Sequence, residues 1–416
     1  MIVSIIGLGY IGLPTAAVLA SKDIKVVGVD VSQYVVDTIN QGKIHIIEPG
    51  LDALVREAVQ KNNLKAVINP EKADVFMIAV PTPFKGNHEP DLSYIRLAAK
   101  AIAPVLEKGN LVILESTSPV GATEKMMTWM QEERLDLSFP EFGNNNFIAD
   151  IAVAHCPERV LPGQVVRELI ENDRIIGGVT DYCAKQAKDL YKIFVDADCL
   201  LTDCRTAELS KLVENSFRDV NIAFANELSL ICDKLGINVW KLIELANHHP
   251  RVNILQPGPG VGGHCIAVDP WFIVDSAPDE AKLIRTARLV NDNKPNFVLG
   301  KIDKAVKAIG KNKSDLKIAC LGLSFKPDID DLRESPALSI AGKIGLMGFS
   351  ELFLVEPNIS SIPDKLKGES ISITSADKAI KAADIVVLLV DHTPFKKMDL
   401  EVLSGKQIVD TRGIWS

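Results

Sequence analysis

Basic residues are in the minority. The chain of 416 residues carries 46 Lys and Arg against 54 Asp and Glu, a formal charge of −8, and no basic tract. That balance argues against nucleic acid or an anionic membrane surface as partner. Cysteine is sparse: seven residues, at 156, 183, 199, 204, 232, 265 and 320, and no pair of them makes a C-x-x-C. An odd, scattered set excludes a disulfide-stapled miniprotein, disfavours structural zinc and suits reduced thiols in the cytoplasm. His248 and His249 are adjacent, and neighbours i and i+1 do not share a helix face, so no metal is assigned. Long apolar runs are missing as well. The first twenty residues, MIVSIIGLGYIGLPTAAVLA, are broken by Gly and Pro and lack a basic start, the first lysine being Lys22. Neither a membrane span nor an export signal is expected. What is there, 47% apolar and 24% charged residues, is the composition of a soluble globular chain long enough for two or three domains.

Short β-branched runs alternate with helical stretches. Met1–Ile6, Lys25–Asp30, Val75–Val80, Leu111–Glu115 and Ala152–His155 read as strands, and Leu92–Leu106 as one of the helices between them. This alternation implies a parallel sheet covered on both faces. Ala207–Leu235 then runs without Gly or Pro. Its apolar residues Leu209, Leu212, Val213, Phe217, Val220, Phe224, Leu228, Ile231 and Leu235 recur at helical spacing, and Gly236 is a natural stop. Such a helix is about 43 Å long at 1.5 Å per residue, so it spans two domains, builds a subunit interface, or serves internal packing. Asn247–Asp269 is irregular and Ala281–Asn291 helical. Leu316–Leu321, Leu352–Val355, Ile385–Val390 and Gln407–Val409 are strands of a second α/β region. The fold class expected is α/β: two Rossmann-like, doubly wound parallel-sheet domains joined by a central helical segment with one long helix. The divisions expected are 1–200, 201–300 and 301–416.

Gly7, Gly9 and Gly12 form G-x-G-x-x-G between a strand and a helix, and Asp30 ends the next strand 18 residues after Gly12. The first glycine permits the tight turn, the second lets the backbone approach a pyrophosphate, and the third lets helix and strand pack closely. The helix N-terminus offers N–H groups to phosphate. A carboxylate at Asp30 accepts ribose hydroxyls and repels a 2′-phosphate, so NAD is favoured over NADP. The alternative is a glycine-rich turn with no ligand.

A second glycine cluster, Gly258-Pro259-Gly260-Val261-Gly262-Gly263-His264-Cys265, puts a cysteine on a loop, with Asp269 four residues on. On spacing alone Cys265 is either a nucleophile or one more structural thiol. The six other cysteines lie in or beside apolar runs and read as inert core fillers. A thiol has a specific use beside NAD. Oxidising an alcohol by hydride loss gives an aldehyde, which can lose a second hydride only after a nucleophile adds; a thiolate gives a thiohemiacetal, then a thioester for water to hydrolyse. His264 could serve as a base, but adjacent side chains often point apart.

With these motifs in place, the chain resembles the UDP-glucose/GDP-mannose dehydrogenase family along nearly its whole length. The resemblance rests on GLGYIGLP at the start, VPTP at 80–83, ESTSPVG at 115–121, CPERVLPG at 156–163, TAELSKLVENSFRDVNIAFANEL from 206, GPGVGGHCIAVDP from 258 and GLSFKPDIDDLRESPA from 322. It implies an NAD-dependent enzyme that oxidises a nucleotide sugar at C6 in two hydride steps. It also implies an N-terminal NAD domain, a central dimerisation segment, a C-terminal UDP-sugar domain and a homodimer.

By the same resemblance, Cys265 is the nucleophile, Lys211 and Asn215 stabilise the oxyanion at C6, and Asp269 handles proton transfer with Lys211. Glu158 activates the hydrolytic water, and Thr117 stands near the nicotinamide. Tyr10 and Ile11 of the glycine turn, Pro81 and Thr82 of VPTP, and Arg333 complete the cofactor set. Arg159, Val160, Gly262 and Lys326 join the substrate set, and Arg251 reaches the substrate of the neighbouring subunit.

Three bland readings compete with these roles. Lys211 and Glu208 would form a solvated helix face, Glu158 a surface pair with Arg159, and Lys326 and Arg333 part of a loop neutralised by its own acids. UDP-glucose members usually read PEFLAEG where this chain has Pro157 to Gly163, with Pro162 replacing the second acid and Arg159 added. The resemblance therefore implies an N-acetylated sugar: UDP-N-acetyl-D-mannosamine, oxidised to its uronate for surface polysaccharide. UDP-N-acetyl-D-glucosamine is the alternative, and a non-catalytic NAD-responsive regulator is the reading of a different class.

Overall fold

Aliphatic runs of four or five residues, too short for helices, build two sheets. The structure, a computed structural model, describes all residues except Asn87, Pro162, His264, Ser360, Asp364, Lys365, Lys367, Glu369 and Ser416. Contacts divide it into two units, Met1–Glu214 with Trp271–Ala277, and Asn215–Pro270 with Pro278–Ser416.

The first unit holds β1 (Ile2–Ile6), β2 (Lys25–Val29), β3 (Leu64–Val67), β4 (Val75–Ile78), a small hairpin of β5 (Phe84–Lys85) and β6 (Glu89–Pro90), β7 (Leu111–Leu114), β8 (Ala152–His155), β9 (Arg174–Gly178) and β10 (Cys199–Asp203). Apart from the hairpin they form one sheet in the order β10-β9-β8-β7-β4-β1-β2-β3. Every pairing is parallel except β8 with β9, where His155 faces Gly177 in antiparallel register. The link between those two strands holds only the seven-residue helix Val165–Glu171, and the chain re-enters reversed. Successive residues feed opposite faces: Ile5, Met77 and Ile113 join one core, and Ile6, Phe76, Ile78 and Leu114 the other. Because β1, β4, β7 and β8 are parallel neighbours, the loops that follow them leave from one sheet edge, where open α/β sheets hold ligands.

The long helix runs Cys204–Leu235, 32 residues, and Gly236 ends it at φ +69°. A second long helix, Lys282–Ile309, continues through Pro295 to Gly310, so the division expected between residues 300 and 301 falls within a helix. Proline has no N–H to give the Asn291 carbonyl, and the helix is held there by side chains. Asp219 accepts from Arg288 Nη1 at 2.5 Å and from Asn291 Nδ2 at 2.8 Å, and Asn226 Nδ2 donates to Asn291 Oδ1 at 2.8 Å, all four residues being buried. The same unit carries β11 (Lys317–Leu321), β12 (Glu351–Val355), β13 (Ile371–Ile373), β14 (Ile385–Leu388) and β15 (Gln407–Asp410), parallel throughout in the order β13-β12-β11-β14-β15. Its two faces bury Ile318, Cys320 and Leu354 on one side and Ala319, Leu321 and Val386 on the other. Among the described residues no helix is long and apolar enough to cross a membrane.

Candidate active site

The turn after β1 is built as its glycine spacing requires. Gly7 has φ +95°, and a Cβ at Gly12 would stand 1.8 Å from the Gly7 carbonyl oxygen, whereas one at Gly9 would meet nothing within 4 Å. The open side of the turn is therefore at Gly9, flanked by exposed Tyr10 and half-buried Ile11. Asp30 accepts the Leu8 N–H at 3.0 Å and the Ser32 N–H at 2.9 Å, one on each carboxylate oxygen, which leaves a lone pair on each. A turn with room for a pyrophosphate and a fixed carboxylate at the end of β2 fits NAD.

Two further loops of this edge carry buried hydroxyls with no partner among the described residues: Thr82 Oγ1 after β4 and Ser118 Oγ after β7. Pro81 is exposed and Thr117 half-buried beside them. A buried hydroxyl without a partner costs free energy unless a ligand or water satisfies it. The loop after β8 brings Glu158 inward, 6% exposed. Glu158 makes its ion pair with Arg174, not with the Arg159 side chain. Its Oε2 accepts from Arg174 Nη1 at 2.5 Å and its Oε1 from the Arg159 N–H at 2.6 Å. Arg159 pairs with Glu214 at 2.7 Å instead, and Val160 packs against the core. Pro162 lies outside the described residues.

Glu208 is not part of a solvated helix face. It is 1% exposed and accepts the Gly121 and Thr123 N–H groups at 2.6 and 2.8 Å, capping the Ala122–Glu133 helix. Burial raises its carboxyl above the usual range. Lys211, three residues on, is half-buried.

In the second unit the cysteine loop explains its own glycines. A Cβ at Gly262 would lie 2.5 Å from the Glu334 carbonyl oxygen and 2.9 Å from Phe325 Cβ, and one at Gly263 3.0 Å from the Phe325 ring. The run lets this loop press on the Phe325–Pro336 segment; its glycine spaces are filled by protein atoms. Asn226 Oδ1 takes the Gly258 N–H at 2.9 Å, tying the loop to the crossing of the two long helices. Cys265 is exposed, whereas the six other cysteines are buried, and burial pushes the Cys156 and Cys320 thiols up to about 12. The Cys265 carbonyl accepts the Asp269 N–H at 2.8 Å, and buried Asp269 accepts from Asn215 Nδ2 at 2.5 Å. The Cys265 backbone is thus tied to Asp269, and the Asp269 carboxylate to the Asn215 amide. His264 lies outside the described residues.

Lys326 is exposed on the segment after β11. Two acids near it are engaged: Asp328 accepts from the Thr393 N–H and Oγ1 at 2.9 and 2.7 Å, and Asp331 pairs with Arg333 at 2.6 Å. Buried His392 accepts the Asp328 N–H on Nδ1 at 2.9 Å and clamps the segment. Arg251 is exposed, and its own N–H bonds His249 Nδ1 at 3.3 Å.

Sequence reasoning missed Glu115, Arg174, Asn226 and His392. Only Arg174 carried a signal, a charge opening the aliphatic run RIIGG; the others become visible through partners distant in sequence.

Three family models match the chain, all of the UDP-glucose/GDP-mannose dehydrogenase family: the NAD binding domain over residues 1–195, the central domain over 205–293 and the UDP binding domain over 319–416. The chain is 64% identical over 408 residues to the UDP-N-acetyl-D-mannosamine dehydrogenase of Campylobacter jejuni, covering 98% of each. It is 60% identical over 414 residues to the NDP-N-acetyl-D-galactosaminuronic acid dehydrogenase of Ralstonia nicotianae, covering 100% of this chain and 96% of that one. Among solved structures, the UDP-D-ManNAc dehydrogenase of Pyrococcus horikoshii superposes with a TM-score of 0.88 at 40% identity, covering 100% of this chain and 96% of that one.

Proposed function

The chain belongs to the UDP-glucose/GDP-mannose dehydrogenase family, NAD-dependent enzymes acting on nucleotide sugars, and from that premise we propose that it oxidises UDP-N-acetyl-D-mannosamine at C6 to the uronate. The observation that carries the reading is Cys265, the one exposed thiol, one turn ahead of Asp269, which holds Asn215. Gly7 to Gly12 and Asp30 hold NAD, which, when bound, takes hydride from C6 at each of the two oxidations. Lys211 and Asp269 carry the proton of the C6 hydroxyl away and Asn215 steadies the oxygen. The Cys265 sulfur adds to the aldehyde carbon, giving a thiohemiacetal that can be oxidised again. The resulting thioester is cleaved by water whose proton passes to Glu158. Lys326 and Arg333 bind the diphosphate and the cofactor side of the site. Arg159 stands where UDP-glucose members carry no cation, which supports an N-acetylated sugar.

The test is stoichiometry and product mass. The native protein yields two NADH per sugar and the uronate; Cys265→Ser yields no acid and binds NAD as before. An unchanged acid yield in Cys265→Ser removes the covalent step. The Ralstonia relative supports a second reading, a galacto-configured N-acetyl sugar, so UDP-N-acetylmannosamine, UDP-N-acetylglucosamine and UDP-N-acetylgalactosamine are turned over side by side.

A homodimer belongs to the same proposal. Val213, Phe217, Phe224 and Ile231 form an apolar stripe on the long helix, with Phe217 70% exposed. A second copy of this chain is the occupant that would bury it, with Arg251 reaching the partner's substrate. Phe217→Asp then shifts the mass in solution from dimer to monomer. Seven free thiols support a cytoplasmic setting.

A further inference from the structure

One buried cluster stands behind Glu158. Glu115, directly after β7, is 2% exposed, and Arg174, opening β9, is 1% exposed. Arg174 donates to Glu158 as described and to the Leu169 carbonyl at 3.1 Å, and its guanidinium lies 5.6 Å from the centroid of the Tyr191 ring. The Tyr191 hydroxyl donates to Glu115 Oε1 at 2.7 Å. Glu115 Oε2 is buried with no partner among the described residues. The titratable groups facing Glu115 are therefore Glu158 and Cys156 from the loop after β8, Arg174 from β9 and Tyr191 from the Asp181–Tyr191 helix.

Two buried carboxyls lie around one guanidinium here, which bonds Glu158 and acts on Glu115 by charge alone. With both ionised the cluster carries −1; with one proton it is neutral, the state burial favours. Arg174 is committed to Glu158, so the proton belongs on Glu115. Burial, then the charge of Glu158, push the Glu115 carboxyl up to about 7, while burial keeps the Cys156 thiol and the Tyr191 phenol protonated.

We propose that Glu115 is a positioning residue that sets the basicity of Glu158. Protonated, Glu115 leaves Glu158 neutralised by Arg174 and a weak base. Ionised, it puts a second negative charge beside Glu158 and raises that carboxylate's affinity for a proton. The inference rests on Glu158 being the base of thioester hydrolysis. In that step water oxygen bonds to the carbonyl carbon, one water proton passes to Glu158, the C–S bond breaks, and sulfur leaves as thiolate while the sugar acid is released. No electrons change hands.

The full chain is mixed with NAD and UDP-N-acetylmannosamine, quenched in acid and weighed intact, which gives the fraction carrying the acyl group and the hydrolysis rate at each pH. In the native protein hydrolysis quickens about tenfold between pH 6 and pH 8, as a single ionisation near neutrality requires. In Glu115→Gln it stays at or below the native pH 6 rate at both, so acyl protein accumulates at pH 8. In Tyr191→Phe the rise moves to higher pH, because the phenol's hydrogen bond stabilises ionised Glu115. A Glu115→Gln protein that keeps the native rise, or is slowed by one factor at both pH values, overturns the proposal, as does an unmoved rise in Tyr191→Phe. Glu158→Gln separates the two claims. If it hydrolyses like the native protein, the role of Glu158 itself is wrong. If it accumulates acyl protein while Glu115→Gln keeps the native profile, only the role of Glu115 is wrong.

Discussion

Replacing Glu115 by Gln should become more favourable to stability as pH rises. The Glu115 carboxyl titrates at an ordinary 4.5 in the unfolded chain and at about 7 in the fold. A folded-state value raised above the unfolded one gives stability that is fully present below the lower value and lost as pH rises through the upper one. Between 4.5 and 7 the unfolded chain ionises freely while the fold keeps the proton. Above 7 the fold carries an ionised carboxylate that burial and Glu158 disfavour. At 1.36 kcal/mol per pKa unit the native protein thus loses about 3 kcal/mol from acid to alkaline conditions. Glutamine cannot ionise, keeps an oxygen for the Tyr191 hydroxyl and loses none of this. Its amide nitrogen replaces Oε2, which has no partner among the described residues, a cost that does not vary with pH. The difference in Tm between variant and parent should therefore be about 4–8 °C more favourable to the variant at pH 8 than at pH 5. Differential scanning calorimetry at the two pH values reads it directly. A Tm difference that is the same at both would mean that Glu115 ionises in the fold as it does in water, and the charge argument of the cluster would fail with it.

Other perturbations follow from single contacts. A thiol reagent in native buffer should titrate one cysteine per chain quickly, at Cys265, with the six buried thiols reacting only after denaturant; several fast thiols by mass mapping would contradict the burial pattern. Gly262→Ala forces a Cβ to 2.5 Å from the Glu334 carbonyl oxygen and should cost at least tenfold in turnover, with NAD affinity, measured by fluorescence titration, unchanged. Arg174→Met strands the Glu158 carboxylate in the core and should cost about 3–5 kcal/mol in urea unfolding at pH 8. Asp30→Ala should weaken NAD binding and narrow the preference over NADP, read from the ratio of kcat/KM for the two.

The most apolar strands and the Cys204–Leu235 helix were legible because their signals are local. β1, β4 and β7 are apolar runs broken only by Ser4, and the Cys204–Leu235 helix has neither Gly nor Pro to stop it. β3, β9, β10 and β13 were not, because LKAV, RIIGG, CLLTD and ISI are too short or too mixed to stand out alone and gain their identity by pairing with β2, β8, β9 and β12. The helix through Pro295 was missed for the converse reason: proline reads as a stop, and the buried Arg288–Asp219–Asn291 bonds that override it join residues some seventy positions apart.

The same division holds for the site. Gly7, Gly9, Gly12, Asp30 and Cys265 declared themselves, since glycine geometry, a strand-end carboxylate and a thiol beside glycines are properties of a few consecutive residues. The chain order alone therefore determined where a dinucleotide and a nucleophile belong. Only tertiary structure decided which charges are paired. It turned Glu158 from its neighbour Arg159 to Arg174, buried Glu208 as a helix cap, and left Glu115 with an oxygen that has no partner among the described residues. Those outcomes depend on desolvation and on partners brought together by the sheet, and neither is written in the spacing of residues along a chain.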